Sequence, residues 1–238
     1  ANPALRGPAA RRAMESRRAE LRRREAAIAA PGARDIGDPR VRLPRLVVVV
    51  DEFAALLGDH PELHSLFADL AARGRALGIH LILGTQRAAG VIRDNLLANC
   101  PLRISLRVTD AADSRALLGT EDAARLPGGV SGRGAAFVRR AGDASPEQLR
   151  IALSGPGDVA AAALKVGHRA PRRPWLPELP KLLTLDDLVG RSAAERDAPP
   201  AGAVLLGLAD EPEHQRQPVA FLGAAEGGLL VVGGAGAG

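Results

Sequence analysis

The stretch LVVVVDEF, residues 46–53, decides the fold of this chain. Its unbroken aliphatic run favours a short β-strand that is covered on both faces, as in a parallel sheet with helices on either side. Asp51 and Glu52 follow directly, at the carboxyl end of the strand. Open α/β sheets bind ligands at this end of their strands, so the acidic pair is the first candidate site.

A second apolar run, IHLIL at residues 79–83, repeats the pattern and is followed by GTQR. Apolar residues at helical spacing between the two runs predict a helix that ends at Gly78 and begins at a capping-box pattern, Asp59 with Glu62. Parallel strands end at the same edge of a sheet. We therefore expect Thr85, Gln86 and Arg87 to reach the crevice that holds Asp51.

The rest of the chain alternates helices and strands, which predicts an α/β layer. A helix is expected over residues 8–29, and shorter helices in VIRDNLLAN and DAADSRALLG. In RISLRV the alternation predicts that Ile104, Leu106 and Val108 face the core and that Arg103, Ser105 and Arg107 form a polar face. RGAAFVRR reads as a further strand, paired with QLRIALS.

Composition limits the possible functions. The chain has 238 residues, a net charge of +5 and an isoelectric point of about 10.7, but only 2% aromatic residues, so base stacking has little support. Its basic N-terminal stretch, RRAMESRRAELRRRE, is interleaved with glutamates and is compatible with a solvated helix face or with a phosphate-contacting arm. The single Cys100 cannot form an internal disulfide. No apolar run is long enough to cross a bilayer.

The acidic pair and the nearby amide favour phosphate chemistry. Adjacent carboxylates repel each other unless a cation compensates, which makes Asp51 and Glu52 a reasonable Mg²⁺ site, although the same residues can simply begin a helix. The Gln86 amide can position water or contact a phosphate, or it can satisfy loop backbone.

Four blocks of the sequence, in this order and spacing, resemble the C-terminal half of an FtsK/SpoIIIE-type motor ATPase: PRLVVVVDEFAALL, RGRALGIHLILGTQR, NLLANCPLRISLRVTDAADSRALLG and LPGGVSGRGAAFVR. The resemblance implies an α/β, RecA-like P-loop fold with a mainly parallel sheet, a ring of subunits, and ATP with Mg²⁺ as cofactors. Ala88 departs from the family pattern, which usually has proline there.

The same resemblance implies roles for individual residues. Asp51 would hold Mg²⁺ through water, Glu52 would be the catalytic base, and Gln86 a sensor, with Thr85 beside the nucleotide. Arg103 is the best candidate for an arginine donated to a neighbouring subunit's nucleotide. Weaker alternatives are Arg75, Arg87 and Arg115.

The phosphate loop that should accompany Asp51 is missing from residues 1–50, which contain no GxxxxGK motif and no lysine. Glycines at the spacing of a P-loop are found instead at the other end of the chain, after an expected strand at residues 229–232. Its glycines are Gly233, Gly234, Gly236 and Gly238. Together with the PWLP segment at residues 174–177, this resembles the connection between consecutive ATPase domains of EccC-type motors.

We therefore expect three parts: residues 1–154 as the C-terminal part of one ATPase domain, 155–200 as a Pro-rich linker with a short helix at 182–189, and 201–238 as the start of a second domain. The sequence then reads as a segment of a longer protein. The resemblance implies a motor for protein export at the cytoplasmic face of the plasma membrane, with a membrane secretion complex and secreted helical-hairpin proteins as partners. The alternatives are a double-stranded DNA translocase and a regulatory ATPase-like domain.

Overall fold

The computed structural model describes residues 8–165, 174–194 and 199–234. The chain divides into two compact units, Arg24–Pro171 and the combination of Ala1–Arg23 with Arg172–Gly238. The helix predicted over residues 8–29 is present as α1 (Pro8–Ala29), and the division between the units falls within it. The domain boundaries expected from the sequence remain a prediction.

The unit Arg24–Pro171 contains two parallel strands joined by two helices. This motif consists of β1 (Leu46–Val50), α2 (Phe53–Asp59), α3 (Leu63–Leu77) and β2 (Ile79–Leu83). The two strands pair in parallel, with Leu46 opposite Ile79 and Val50 opposite Leu83, which confirms the predicted parallel pairing. α3 ends where predicted, because Gly78 adopts a left-handed conformation at φ 70° that other residues avoid.

Two details of this motif differ from the prediction. α3 begins at Leu63, and its N-cap residue Glu62 makes no side-chain cap hydrogen bond, so the predicted capping box of Asp59 with Glu62 is wrong. The β1–β2 pair is covered on one face only: Val48 is buried, whereas Val47 and Val49 are 53% and 66% exposed. A continuous aliphatic run fits both arrangements, so the sequence cannot tell which faces receive a partner.

The unit continues with α4 (Asp94–Ala98), β3 (Leu102–Leu106), α5 (Ala111–Leu118), a 3₁₀ turn at Asp122–Arg125, β4 (Ala135–Arg140), β5 (Glu147–Arg150) and α6 (Pro156–Lys165). β3, β4 and β5 form an antiparallel sheet in that order, and the predicted pairing of the last two strands is confirmed. Leu118, Ala123, Leu126 and Ala135 form the buried cluster between α5 and this sheet.

The predicted facing is reversed within β3, whereas Val108, just after the strand, packs against the buried cluster as predicted. Ser105 is buried, whereas Ile104 and Leu106 are 45% and 56% exposed. The Ser105 hydroxyl donates a hydrogen bond to the Leu106 carbonyl at 3.0 Å, which lets a small polar side chain sit in the core. Alternation identifies two faces of a strand but not which of them meets the core.

The other unit contains α7 (Leu185–Ala194), β6 (Val204–Leu208), a 3₁₀ turn at Pro212–His214 and β7 (Val219–Leu222), with β6 and β7 antiparallel. The short helix expected at 182–189 corresponds to α7, which begins and ends later than predicted. Helix α6 of the first unit was not predicted from the sequence. The strand expected at residues 229–232 is also wrong. Those residues form no strand and their side chains are exposed, because no described strand pairs with them.

Candidate active site at the edge of the parallel strand pair

Asp51 and Glu52 form a tight turn between β1 and α2. Glu52 has a left-handed backbone, φ 51° and ψ 50°, which is rare for a residue with a β-carbon. Its N–H donates to Asp51 Oδ1 at 3.1 Å, so the first carboxylate supports the turn that aims the second. Both side chains are exposed at the strand end. Backbone strain of about 1–3 kcal/mol at such a position is typical of functional sites.

The residue that follows the acidic pair fixes the turn to the core. Phe53 is fully buried and meets Phe67 of α3 edge to face, with ring centroids 4.9 Å apart. Its N–H donates to the Gly84 carbonyl at 2.8 Å, and the Gly84 N–H donates to the Val50 carbonyl at 2.8 Å. The ends of β1 and β2 are therefore tied together directly beside the two carboxylates.

The structure brings Glu52 and Gln86 into contact. Gln86 Nε2 donates to Glu52 Oε1 at 2.6 Å. Asp51 lies beside the same strand end, since a β-carbon placed on Gly84 would be 3.6 Å from its Oδ1. The Thr85 hydroxyl is used within its own loop, where it donates to the Arg87 carbonyl at 2.9 Å. Three of the predicted site residues thus share one edge, and Thr85 shapes the loop that carries Gln86.

A carboxylate at this edge fits Mg²⁺. The cation prefers hard oxygen ligands and usually takes one or two protein carboxylates together with waters and substrate phosphates. The exposed Asp51 carboxylate is of this kind. Within the described part of the chain there is no group of three or more His, Cys, Asp or Glu side chains that would form an all-protein metal cage.

Arg103 is engaged within its own chain. Its Nη2 donates to the Leu97 carbonyl at 3.0 Å and its Nε to the Cys100 carbonyl at 3.2 Å, so the guanidinium holds the end of α4 against β3. Arg115 is paired with Glu121. Arg75 and Arg87 are exposed. These contacts give Arg103 a local function that the sequence did not suggest, and its role toward a neighbouring subunit stays a prediction.

The predicted second phosphate loop lies only partly within the described residues and remains a prediction. Gly233 and Gly234 lie in an exposed segment without regular structure, and Gly236 and Gly238 lie outside the described residues. No helix in the described ranges is both long enough and apolar enough to span a membrane.

One residue near the site was not singled out from the sequence. Asp113, in the first turn of α5, accepts hydrogen bonds from the N–H groups of Ala88 and Ala89, in the loop that carries Gln86. It is distant in sequence from both acidic residues, and no local pattern relates it to them. Its position three residues after the N-cap Asp110 makes it look like an ordinary first-turn acid.

The FtsK/SpoIIIE family model matches residues 38–90, the range that contains the acidic pair, β2 and Gln86. This segment belongs to the FtsK/SpoIIIE family. The predicted RecA-like α/β fold is supported by the structure of the cytoplasmic domain of the Thermomonospora curvata type VII secretion ATPase EccC. This chain is 28% identical to it, with a TM-score of 0.74, over 90% of this chain and 28% of that one.

Two curated proteins are similar to this chain over different lengths. The ESX secretion system protein YukB of Bacillus subtilis is 40% identical over 98 residues, which are 41% of this chain and 6% of that protein. The type VII secretion system protein EssC of Staphylococcus aureus is 28% identical over 275 aligned residues, 90% of this chain and 18% of that protein. The chain therefore spans less than a fifth of each of these two relatives.

Proposed function

We propose that this chain is part of an ATP-hydrolysing FtsK/SpoIIIE-family motor that drives protein export in a type VII-like secretion system. The observation that carries the proposal is the contact between Gln86 Nε2 and Glu52 Oε1 at 2.6 Å, beside Asp51 at the carboxyl edge of parallel strands. A carboxylate restrained by an amide at this edge suits the activation of a water molecule for attack on a phosphate.

Each of the three residues has a separate task in this proposal. Asp51 would hold Mg²⁺ through water, and the metal, when bound, neutralises charge on the phosphates. Glu52 would accept a proton from the attacking water, and its side chain is exposed at the strand end. Gln86 would fix the orientation of that carboxylate and sense the terminal phosphate. The phosphate-binding loop has no counterpart in residues 1–50, so we propose that residues outside this chain supply it.

Secretion is favoured over DNA transport by the relatives. YukB and EssC are named as secretion proteins, and the EccC structure aligns with most of this chain. We propose a ring of subunits at the cytoplasmic face of the plasma membrane, with a membrane secretion complex and secreted helical-hairpin proteins as partners. The low aromatic content gives no support for stacking on nucleic acid.

The identity of the cargo is tested by measuring which polymer stimulates ATP hydrolysis. A form of the protein extended upstream to include a GxxxxGK loop is assayed for Mg²⁺-dependent ATP hydrolysis alone, with a purified helical-hairpin secretion substrate, and with duplex DNA. We expect stimulation by the protein substrate only. Stimulation by DNA only would identify a DNA translocase. Nucleotide binding without turnover under all three conditions would identify a regulatory domain.

A further inference from the structure

The loop between β2 and α4 carries Gln86, and it is fixed at two places. At its start, the Gly84 N–H donates to the Val50 carbonyl at 2.8 Å, which ties the loop to β1. Further on, the N–H groups of Ala88 and Ala89 donate to Asp113 Oδ1 at 2.8 Å and 2.9 Å. One carboxylate oxygen therefore receives two successive amides. Hydrogen bonds to an ionised acceptor are about twice as strong as those between neutral groups.

The helix that presents Asp113 is firmly held. Asp110 caps it by accepting the Ala112 N–H at 2.8 Å. Ser114, next to Asp113, is fully buried and donates to the Thr120 carbonyl at 2.6 Å, while its oxygen accepts the Ala123 N–H at 3.2 Å. α5 is thus a fixed support, and its first turn contacts the loop.

The contact with Asp113 lies only two residues from Gln86. Ala88 is itself buried, so this part of the loop is packed as well as hydrogen-bonded. Gln86, in contrast, is exposed and is oriented by Glu52 at one side and by the loop backbone at the other. Without the Asp113 contact, the backbone of residues 88–89 would have no charged acceptor in the described structure, and Gln86 would sample more orientations.

We propose that Asp113 is a positioning residue, which holds the loop of Gln86 in the orientation that lets Gln86 restrain Glu52. This inference rests on the proposed function, because it assigns Asp113 a part in the same hydrolysis site. Asp113 is hydrogen-bonded to the amides of Ala88 and Ala89, and in this proposal it acts on Gln86 through them.

The first test follows amide hydrogen exchange by NMR in the present chain, which requires no ATPase activity. Asp113→Ala removes the acceptor, and we expect Ala88 and Ala89 to exchange roughly tenfold faster. Asp113→Asn retains an acceptor oxygen without the charge, and its exchange rate is expected to lie between those of the parent and Asp113→Ala. Asp110→Ala is the matched control, since it removes the cap of the same helix but leaves both loop amides paired. Equal acceleration in the Asp113→Ala and Asp110→Ala variants would overturn the proposal.

The second test measures turnover in the form extended upstream to include a GxxxxGK loop. We expect Asp113→Ala to lower kcat about tenfold while the KM for ATP changes less than about threefold, and Asp113→Asn to show an intermediate kcat. Asp110→Ala should leave kcat within about twofold of the parent. Faster amide exchange with unchanged kcat would show that Asp113 merely stiffens the loop, and would overturn the positioning role.

The two tests separate the failure of this inference from the failure of the proposed function. If Glu52→Gln leaves turnover unchanged, the hydrolysis site itself is misplaced and Asp113 has no reaction to serve. If Glu52→Gln abolishes turnover but the Asp113→Ala variant behaves like the parent in both measurements, the proposed function stands and the role of Asp113 is wrong.

Discussion

Gln86 donates a hydrogen bond to Glu52 across 2.6 Å, so the loop after β2 restrains the side chain that follows β1. The two residues are 34 positions apart in the sequence and meet because their strands are parallel neighbours. A contact of this kind couples the orientation of the acid to the conformation of the loop.

The present chain should neither hydrolyse ATP nor bind it tightly. Asp51 and Glu52 offer only negative charge to a triphosphate, and residues 1–50 supply no lysine. Phosphate-release and calorimetric binding assays with Mg²⁺-ATP measure this directly. Mg²⁺-dependent turnover that disappears in Glu52→Gln would show that other residues of this chain form the phosphate site.

Replacing Arg103 should destabilise the fold, because its guanidinium makes hydrogen bonds within the same chain. Arg103→Ala leaves the carbonyls of Leu97 and Cys100 without their charged donor, which we expect to cost about 1–3 kcal/mol in the free energy of unfolding. Urea denaturation measures the loss, with the exposed Arg107→Ala as control. Equal stability of the two variants would contradict the local role.

The proposed role of Arg103 toward a neighbouring subunit has a separate test. In the form extended upstream, an arginine that acts on a neighbour's nucleotide stabilises mainly the charge of the transition state. Arg103→Ala should then reduce kcat and leave ATP affinity nearly unchanged. A parallel loss of affinity would count against this role, and a loss of turnover explained by unfolding would assign Arg103 to structure alone.

Substitution by alanine should have opposite effects on stability at two glycines. A β-carbon at Gly78, where φ is 70°, would lie 2.1 Å from Ile36 Cδ1, so Gly78→Ala should destabilise the chain by more than about 1 kcal/mol. Gly58 in α2 has open space around it, and Gly58→Ala should stabilise by up to about 1 kcal/mol. Thermal unfolding of both variants provides the comparison. A stabilised Gly78→Ala variant would contradict the end assigned to α3.

Trp175 should report on the packing of α1 within its unit. The Arg17 guanidinium lies 5.8 Å from the Trp175 ring centroid, and burial lowers the pKa of Arg17. Arg17→Ala should shift the emission of this single tryptophan to longer wavelength and cost about 0.5–2 kcal/mol. Arg18→Ala, at an exposed neighbouring position, is the control. Identical spectra for both variants would rule out the contact in solution.

The sequence predicted the β1–α3–β2 motif well, because its apolar runs are contiguous and its helix ends at a glycine. It also predicted that Asp51, Glu52 and Gln86 share one edge, since parallel pairing alone places them there. Their catalytic roles remain predictions.

The sequence predicted less where tertiary contacts decide the structure. The facing of β3 was reversed because local hydrogen bonds allow Ser105 to be buried. The strand expected at residues 229–232 is not formed, since apolar character alone supplies no partner strand. α6 was missed, although Pro156 at its start and the alanines that follow are typical of a helix beginning. The contact of Asp113 with the loop after β2 joins two separate elements, so no local sequence pattern predicts it.

The most direct test of the central claim is Glu52→Gln in the form extended upstream, with Glu62→Gln as the matched exposed control. Mg²⁺-dependent ATP turnover and ATP affinity are measured on both variants. We predict that Glu52→Gln lowers kcat by about 100-fold or more with ATP affinity retained, since removing a general base slows the chemical step without weakening ground-state binding. Turnover in Glu52→Gln equal to that of Glu62→Gln would contradict the account.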